Sequence, residues 1–511
     1  MKQKRLVSVI DIGSTAIRLV VAEIVREQEW KTLDRAVRPL SLGRDVFLRG
    51  SLSASAMREA IDTLASFREM LQGWRIAPED VRVIATAAIR EAVNRDVFLD
   101  RVQIRTGFRI NVVEGIEENH LTYIAVQHAI EELRPQFSRS SAMILEVGGG
   151  SSELMMLKRG RMVGAHNLGI GTLRVEQKLQ GSFTDADRVE EYLRENIRVT
   201  RDTLNMEFRL DRVRYFVAVG GDARTAAERV GKREGAAFSV ISREAFHRFL
   251  EEIRYRSVEE CVRDLKLTWT EAEGLYPALL ILRIFLDTTA ATQLIVPDVS
   301  IREGVLLNFA VDPSHGIRRE FRQQVVDSSL GIGRKFRFDE PHAQHVSTLA
   351  LSLFDQLQEE HGMSEHARLL LEVSAILHDV GYFISAEGHQ KHSQYIVENS
   401  EIFGLSGTDL KMVGNAVRFH RGGSPRPSRS GFGVLRWSQR MMVLKMTAIL
   451  RVADALDRGH AQRIRSITME KREEEIVLHC EYTGEISTEQ QGLAEKGEMF
   501  EEIFGYRVIA Q

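Results

Sequence analysis

The sequence predicts an α/β amino-terminal half built by duplication around a cleft, then an all-helical domain, then a small α+β end. Three observations carry this. Residues 5–25 run as a β-rich stretch, a Gly-Ser-Thr turn and a second β-rich stretch, and residues 142–157 repeat the plan. In each copy an apolar strand ends in an acid (Asp11, Glu146), a Gly/Ser/Thr turn follows, and a strand returns. Such an echo is the mark of two like halves facing each other. From about 320 to 460 the apolar spacing is helical and the stretch is rich in histidine. Residues 463–482 then alternate like strands, and a short helix and a last strand finish the chain. The expected divisions are 1–125 and 126–312 for the two halves, 319–460 for the helical domain and 461–511 for the end. The Asp-Pro-Ser-His-Gly stretch at 312–316 is the expected linker, because a Pro and a Gly interrupt it.

Composition narrows the function. The 511 residues are 43% apolar and 28% charged with only 9 Pro, a balance that supports several packed cores and excludes a mostly disordered chain. The formal net charge of −3 offers no overall basic field for nucleic acid or an acidic membrane, so a polyanion needs a local basic patch. The two cysteines, Cys261 and Cys480, make no CxxC spacing and no disulfide framework. The apolar run Leu6–Ile10 stops at Asp11, too short for a signal peptide, and no run of about 18 apolar residues exists. The expected location is the cytoplasm.

The acid-plus-glycine turns carry phosphate chemistry. Glycines let the backbone approach a phosphate closely, with N–H groups aimed at its oxygens. Ser and Thr hydroxyls add donors, and a carboxylate at the strand end holds a divalent ion or orients a water. A third glycine turn, Gly220-Gly221-Asp222-Ala223-Arg224-Thr225, follows a strand-like stretch and opens a helix.

Residues 5–310 resemble the exopolyphosphatase/guanosine pentaphosphatase (Ppx/GppA) family, which has the duplicated ribonuclease H-like fold of sugar kinases, actin and Hsp70. Six stretches carry the resemblance in the family's order. They are Asp11-Ile-Gly-Ser-Thr15, Thr86-Ala-Ala-Ile-Arg-Glu-Ala-Val-Asn94, Glu114-Gly-Ile-Glu-Glu118, Glu146-Val-Gly-Gly-Gly-Ser-Ser-Glu153, Gly220-Gly-Asp-Ala-Arg-Thr225 and Ile301-Arg-Glu-Gly-Val-Leu306. The second half resembles the longer members, which append a helical HD domain and a small C-terminal domain. The resemblance implies that Glu118 is the catalytic glutamate, acting on the in-line water. It implies Mg²⁺ held by Glu146, Glu153 and Asp11. Phosphates would lie against Gly13, Ser14, Thr15, Gly148, Gly149, Gly150, Ser151 and Gly221, with Arg90 on the terminal phosphate. The implied substrates are inorganic polyphosphate or guanosine penta- and tetraphosphate, and the implied assembly is a homodimer. Three departures from the family pattern point to a changed rate or substrate. Glu146 replaces an Asp, Gly-Ser-Thr-Ala replaces Gly-Ser-Asn-Ser at 13–16, and Asn119-His120 replaces Ala-Arg.

The order His345, His378-Asp379, His392, His420, Asp454 resembles the HD phosphohydrolase superfamily. Neutral imidazoles and carboxylates suit divalent metals such as Mn²⁺ or Fe²⁺, and two ions together activate water for phosphoester cleavage. His342 and His389 read as solvated or supporting residues. Six arginines and no acid lie between Arg418 and Arg440, a candidate guide for a phosphate chain. No aromatic residues interleave them in a base-stacking pattern, so nucleic-acid readout is not expected. Two alternatives to cleft hydrolysis stay open. The helical domain carries the main activity and the cleft senses, or the chain binds polyphosphate or an alarmone without cleaving it.

Overall fold

The strand–turn–strand echo folds into two sheets of one plan in the computed structural model, which describes residues 5–26, 29–113, 115–179, 185–310, 317–423, 425 and 431–511. β1 (Arg5–Ile12), β2 (Ala16–Arg26) and β3 (Glu29–Pro39) form an antiparallel meander. β4 (Val81–Ala85) and β5 (Ile110–Val112) extend it in parallel from β1, in the order β3-β2-β1-β4-β5. The second sheet begins with the meander β6 (Ser141–Val147), β7 (Ser152–Lys158) and β8 (Arg161–Leu168). β9 (Tyr215–Val219), β10 (Lys232–Arg233), β11 (Phe238–Ser242) and β12 (Gln293–Pro297) complete it in the order β10-β11-β12-β9-β6-β7-β8. The run β8-β7-β6-β9-β12 therefore repeats β3-β2-β1-β4-β5 in neighbours and in direction. Central β1 is buried over Val7–Ile12 because the sheet is covered on both faces, which explains its near-continuous apolar run.

The matched turns adopt matched hydrogen bonds. Gly13 N–H donates to Ala16 O at 3.0 Å, and Gly148 N–H donates to Ser151 O at 2.9 Å. Gly220, after β9, has φ +123°, a conformation that side chains rarely adopt, and it launches the helix Gly221–Val230.

The helix Ile301–Ala310 corrects the expected boundary at 126–312. Its Ile301, Val305 and Leu306 cover Val7, Val9, Val20 and Ile84 of the first sheet, beside Leu121 of the helix Gly115–Ala129. The chain thus returns to the first half, because this apolar face fits the back of β1 and β2. Gly304 makes the packing of the two helices close. A Cβ there would lie 2.1 Å from the Leu121 carbonyl oxygen, which is backbone and has no rotamer to yield. Gly304→Ala is expected to destabilise by about 1–3 kcal/mol or more and to shift the helix that carries Glu118. An unchanged melting temperature would refute this packing.

The chain divides into two compact units, Met1–Arg319 and Glu320–Gln511. In the second, helices spanning 317–455 surround a single core that includes Val346, Leu370, Val413 and Ile449. β13 (Ile464–Lys471), β14 (Glu475–Tyr482) and β15 (Arg507–Ala510) form a three-stranded sheet. Ile464, Leu478, Leu493, Phe500 and Val508 join that same core. The expected separate end at 461–511 is therefore part of the helical unit: about 50 residues bury too little surface to stand alone. The expected linker at 312–316 lies outside the described residues.

Candidate functional site

Two sites take shape, one in each unit. In the first unit the two glycine turns and the Gly220 turn face one another across a cavity of about 390 Å³. Its lining includes Asp11, Gly13, Ser14, Thr15, Glu118, Glu146, Gly148, Gly149, Gly150, Ser151, Glu153 and Gly221, so it gathers nearly every residue expected there. Asp11 and Glu146 stand near the ends of the equivalent strands β1 and β6, while Glu118 lies in the first turn of Gly115–Ala129. Glu114 of the same motif lies outside the described residues.

Arg90 stands directly behind the cavity wall, against Glu118. It does not line the cavity but lies beside Glu118, donating from Nη1 to Glu118 Oε2 at 3.1 Å and to the Val113 carbonyl at 2.7 Å. It fixes the carboxylate. The cations that do line the cavity are Arg18, Arg35, Arg224 and Arg302, which the sequence reading did not single out, although Arg224 and Arg302 sit inside quoted motifs.

The carboxylates are crowded, with Asp11 and Glu153 buried and Glu118 and Glu146 partly buried. Burial pushes Glu118 up to about 7; Arg90 opposes this, and Glu146 and Asp11 add to it. Burial also raises Glu153 well above the usual range, reinforced by Glu118 and Glu146, although Ser151 and Asn167 donate to its Oε1 at 2.5 and 3.3 Å. Glu146 is raised by burial against a 2.8 Å bond from Thr122 Oγ1. Asp11 is raised by burial against Arg18 and Arg302, and its Oδ1 is buried without a hydrogen-bond partner.

An all-oxygen set with an orphaned carboxylate oxygen fits Mg²⁺. Among the described residues, every set of three potential ligand atoms within 4.8 Å of one another lies in the second unit, not in this cleft. That suits an ion that takes one or two carboxylates and completes its shell with water and substrate phosphate. A pH test follows. These carboxyls titrate above their unfolded values, so the folded chain holds extra protons between the ordinary carboxylate range and about 7. Their contribution to stability falls as pH rises through that window. Mg²⁺ is therefore expected to raise the melting temperature more at pH 8 than at pH 5; equal shifts at the two values would sink the idea.

The second site brings together His342, His378, Asp379, His389, His420 and Asp454. Two expected ligands are corrected. His345 is only half-buried, with the Ile464 backbone as its hydrogen-bond partner, and His392 is half-exposed. In their place stand His342 and His389, with residue exposures of 0% and 1%. Each clustered histidine precedes the expected one by three residues, and residues three apart share a helix face, so spacing alone does not separate them. His460, stacked on His342 at 3.6 Å between ring centres, was also missed; it is grouped with His342 and Asp379 as a potential ligand.

Local structure presets the imidazoles. Nδ1–H of His378, His389 and His420 donates to the carbonyls of Ala375, Ala386 and Val417 at 2.8, 3.2 and 2.7 Å. His342 Nδ1 meets Asp457 Oδ2 at 2.8 Å. A carbonyl only accepts, so in His378, His389 and His420 Nδ1 carries a proton, the arrangement that presents Nε2 in metal-ligating histidines. Burial lowers His378 to about 4, keeping it neutral. The Nε2 atoms converge: His342 Nε2 lies 3.2 Å from His378 Nε2, and His389 Nε2 lies 3.4 Å from His420 Nε2. Asp379 stands between the pairs. Its Oδ1 is 3.1 and 3.4 Å from His389 and His420, and its Oδ2 is 3.5 Å from His378. Four imidazole nitrogens beside a shared carboxylate form a set that could hold cations, and nitrogen with oxygen suits Mn²⁺, Fe²⁺ or Zn²⁺. Gly381 makes the convergence attainable, because a Cβ there would lie 2.2 Å from the His389 carbonyl oxygen.

In the basic stretch, Arg421 is exposed, while Arg426 and Arg429 lie outside the described residues. No described helix is long and apolar enough to cross a membrane.

Comparisons place the chain among known proteins. Residues 20–311 match the Ppx/GppA phosphatase family, and residues 322–495 match domain III of Ppx/GppA phosphatases. A guanosine-5'-triphosphate,3'-diphosphate pyrophosphatase of Pseudoalteromonas translucida is 24% identical over 423 residues, covering 82% of this chain and 81% of that one. Its namesake in Photobacterium profundum is 22% identical over 450 residues, covering 87% and 86%. The crystal structure of an exopolyphosphatase from Cytophaga hutchinsonii ATCC 33406 shares the fold, with a TM-score of 0.53 at 20% identity, covering 60% of this chain and 99% of that one. The amino-terminal unit has the actin and sugar-kinase-like fold, and the second unit is helical with a small sheet. A family match over more than half its length, joined to the duplicated cleft, makes this chain a hydrolase of the Ppx/GppA phosphatase family.

Proposed function

We propose that the cleft removes terminal orthophosphate from inorganic polyphosphate and the γ-phosphate from guanosine pentaphosphate. The observation that carries this is Glu118, a carboxyl tuned to about 7 and held by Arg90 in a cavity lined by two glycine turns. With Oε2 engaged by Arg90, Oε1 is the oxygen that takes the water proton. The water oxygen bonds to the terminal phosphorus, the bridging P–O bond breaks, and the shortened phosphate leaves with the bond's electrons. Backbone N–H groups of the turns orient the phosphates, and Arg18, Arg224 and Arg302 offset their charge. One or two of Asp11, Glu146 and Glu153 would hold Mg²⁺, which would supply further neutralisation of the phosphoryl oxygens. The working form is a homodimer in the cytoplasm.

The test is orthophosphate release from both substrates, in Mg²⁺ and separately in Mn²⁺. Wild type runs beside Glu118→Gln and His378→Ala/Asp379→Ala. Mg²⁺-dependent release lost only in Glu118→Gln supports the cleft, and no release from wild type refutes it.

A second reading is favoured by the converging imidazoles. The helical unit is HD-type, and His342, His378, Asp379 and Asp454 would hold one divalent ion and His389, His420 and Asp379 a second. It is a second phosphohydrolase centre for nucleotide phosphates. Release that requires Mn²⁺ and fails only in the His-Asp double variant supports it.

A further inference from the structure

Lys496 reaches the His/Asp centre from near the end of the chain. It is the last residue of the helix Ser487–Lys496, and its ammonium donates to Asp454 Oδ2. Asp454 Oδ1 stays on the imidazole side, 3.7 Å from His342 Nε2 and 3.8 Å from His378 Nε2. One carboxylate thus faces the ammonium with one oxygen and the ring nitrogens with the other.

The helix that delivers Lys496 is fixed in place. Gly492 lets it lie against the end of the helix Trp437–Ala455, where a Cβ would come 2.8 Å from Arg458 Cδ. Arg458 pairs with Glu495 at 2.6 Å, and Arg463 stands 3.8 Å from buried Glu489. Three ion pairs therefore tie one face of this helix to the stretch 454–463, which carries Asp454, Asp457 and His460. The Lys496 side chain is 17% exposed, unlike a solvated surface lysine.

Charge counting gives the consequence. Asp379 and Asp454 are the carboxylates that face the imidazole Nε2 atoms, and an imidazole binds a metal only as its neutral ring. Two divalent ions already outweigh two carboxylates, and the ammonium enlarges the excess. It repels incoming cations, and it attracts an anion that enters once they are bound. We propose that Lys496 sets the charge of the second centre, weakening its hold on divalent metal and strengthening its hold on a phosphate dianion. This selects a phosphomonoester end, or orthophosphate itself, as the ligand of that centre. The proposal rests on the two-ion reading above.

The experiment uses the full chain, with Mn²⁺ and inorganic phosphate as probes and calorimetry as readout. Binding that persists in His378→Ala/Asp379→Ala belongs to the cleft and is subtracted. Lys496→Met keeps the stem and removes the charge. It is expected to bind Mn²⁺ about tenfold more tightly, and the Mn²⁺-loaded protein to bind phosphate about tenfold more weakly, the scale of outer-shell changes at metal sites. Lys496→Arg restores both values. Opposite signs separate this role from a structural one, since a loosened helix weakens both. Any pattern other than opposite shifts overturns the proposal. A wild type that binds no more Mn²⁺ than the double variant refutes the two-ion reading itself, before Lys496 is altered.

Discussion

Glu118→Gln is expected to lower turnover by about 10²–10⁴ while leaving the melting temperature within about one degree. The magnitude is that of losing a positioned general base. The geometry explains why the fold should survive. Gln keeps the shape of Glu and still offers Oε1 or its equivalent to Arg90 Nη1, now 3.1 Å from the carboxylate. It also removes a carboxylate from a cluster in which burial and mutual repulsion raise Glu118, Glu146 and Glu153 together. If anything, stability rises slightly above pH 7. The pH profile gives a second signature. A base must be ionised to act, so kcat/KM of the wild type should climb as pH rises through about 7 in the free enzyme. Glu118→Gln should lose that limb as well as the rate. Turnover near wild type would remove Glu118 from the role.

Much of the first site was legible because its chemistry is local. Asp11–Thr15 and Glu146–Ser151 each lie within one turn, so a short stretch of sequence specifies both a backbone shape and its donors. The duplicated strand order follows from the same echo. The hold of Arg90 on Glu118 and the Val113 carbonyl was not legible, because both are tertiary contacts no spacing reveals. The return of Ile301–Ala310 to the first sheet was hidden for a similar reason. An amphipathic face announces that it must be buried, not which sheet buries it. In the second unit, residue types and order were legible, but the choice within each histidine pair was not. Gly381 held a partial clue. A glycine two residues after Asp379 permits the close approach that brings the first turn of His389–Glu398, and so His389, to the aspartate.

That choice within each pair gives the other large expected effect. His342→Ala and His389→Ala should each weaken Mn²⁺ binding at the second centre by at least about 10², since outer-shell changes alone cost 10–100-fold. His345→Ala and His392→Ala should leave it within about twofold. The contrast holds because each pair shares a helix, so a general loss of helical stability would strike both members alike. Only direct ligation separates them. Asp457→Asn should fall between, about 10–100-fold weaker, because it changes the partner of His342 Nδ1 without touching Nε2. An amide that turns its oxygen to Nδ1–H keeps the tautomer, whereas one that turns its nitrogen forces the proton onto Nε2 and blocks it. Metal content by mass spectrometry and affinity by calorimetry would decide. Loss of metal in His345→Ala, with retention in His342→Ala, would reverse the assignment. It would also undo the two-ion centre, because the 3.2 Å approach of His342 to His378 is one of its two nitrogen pairs.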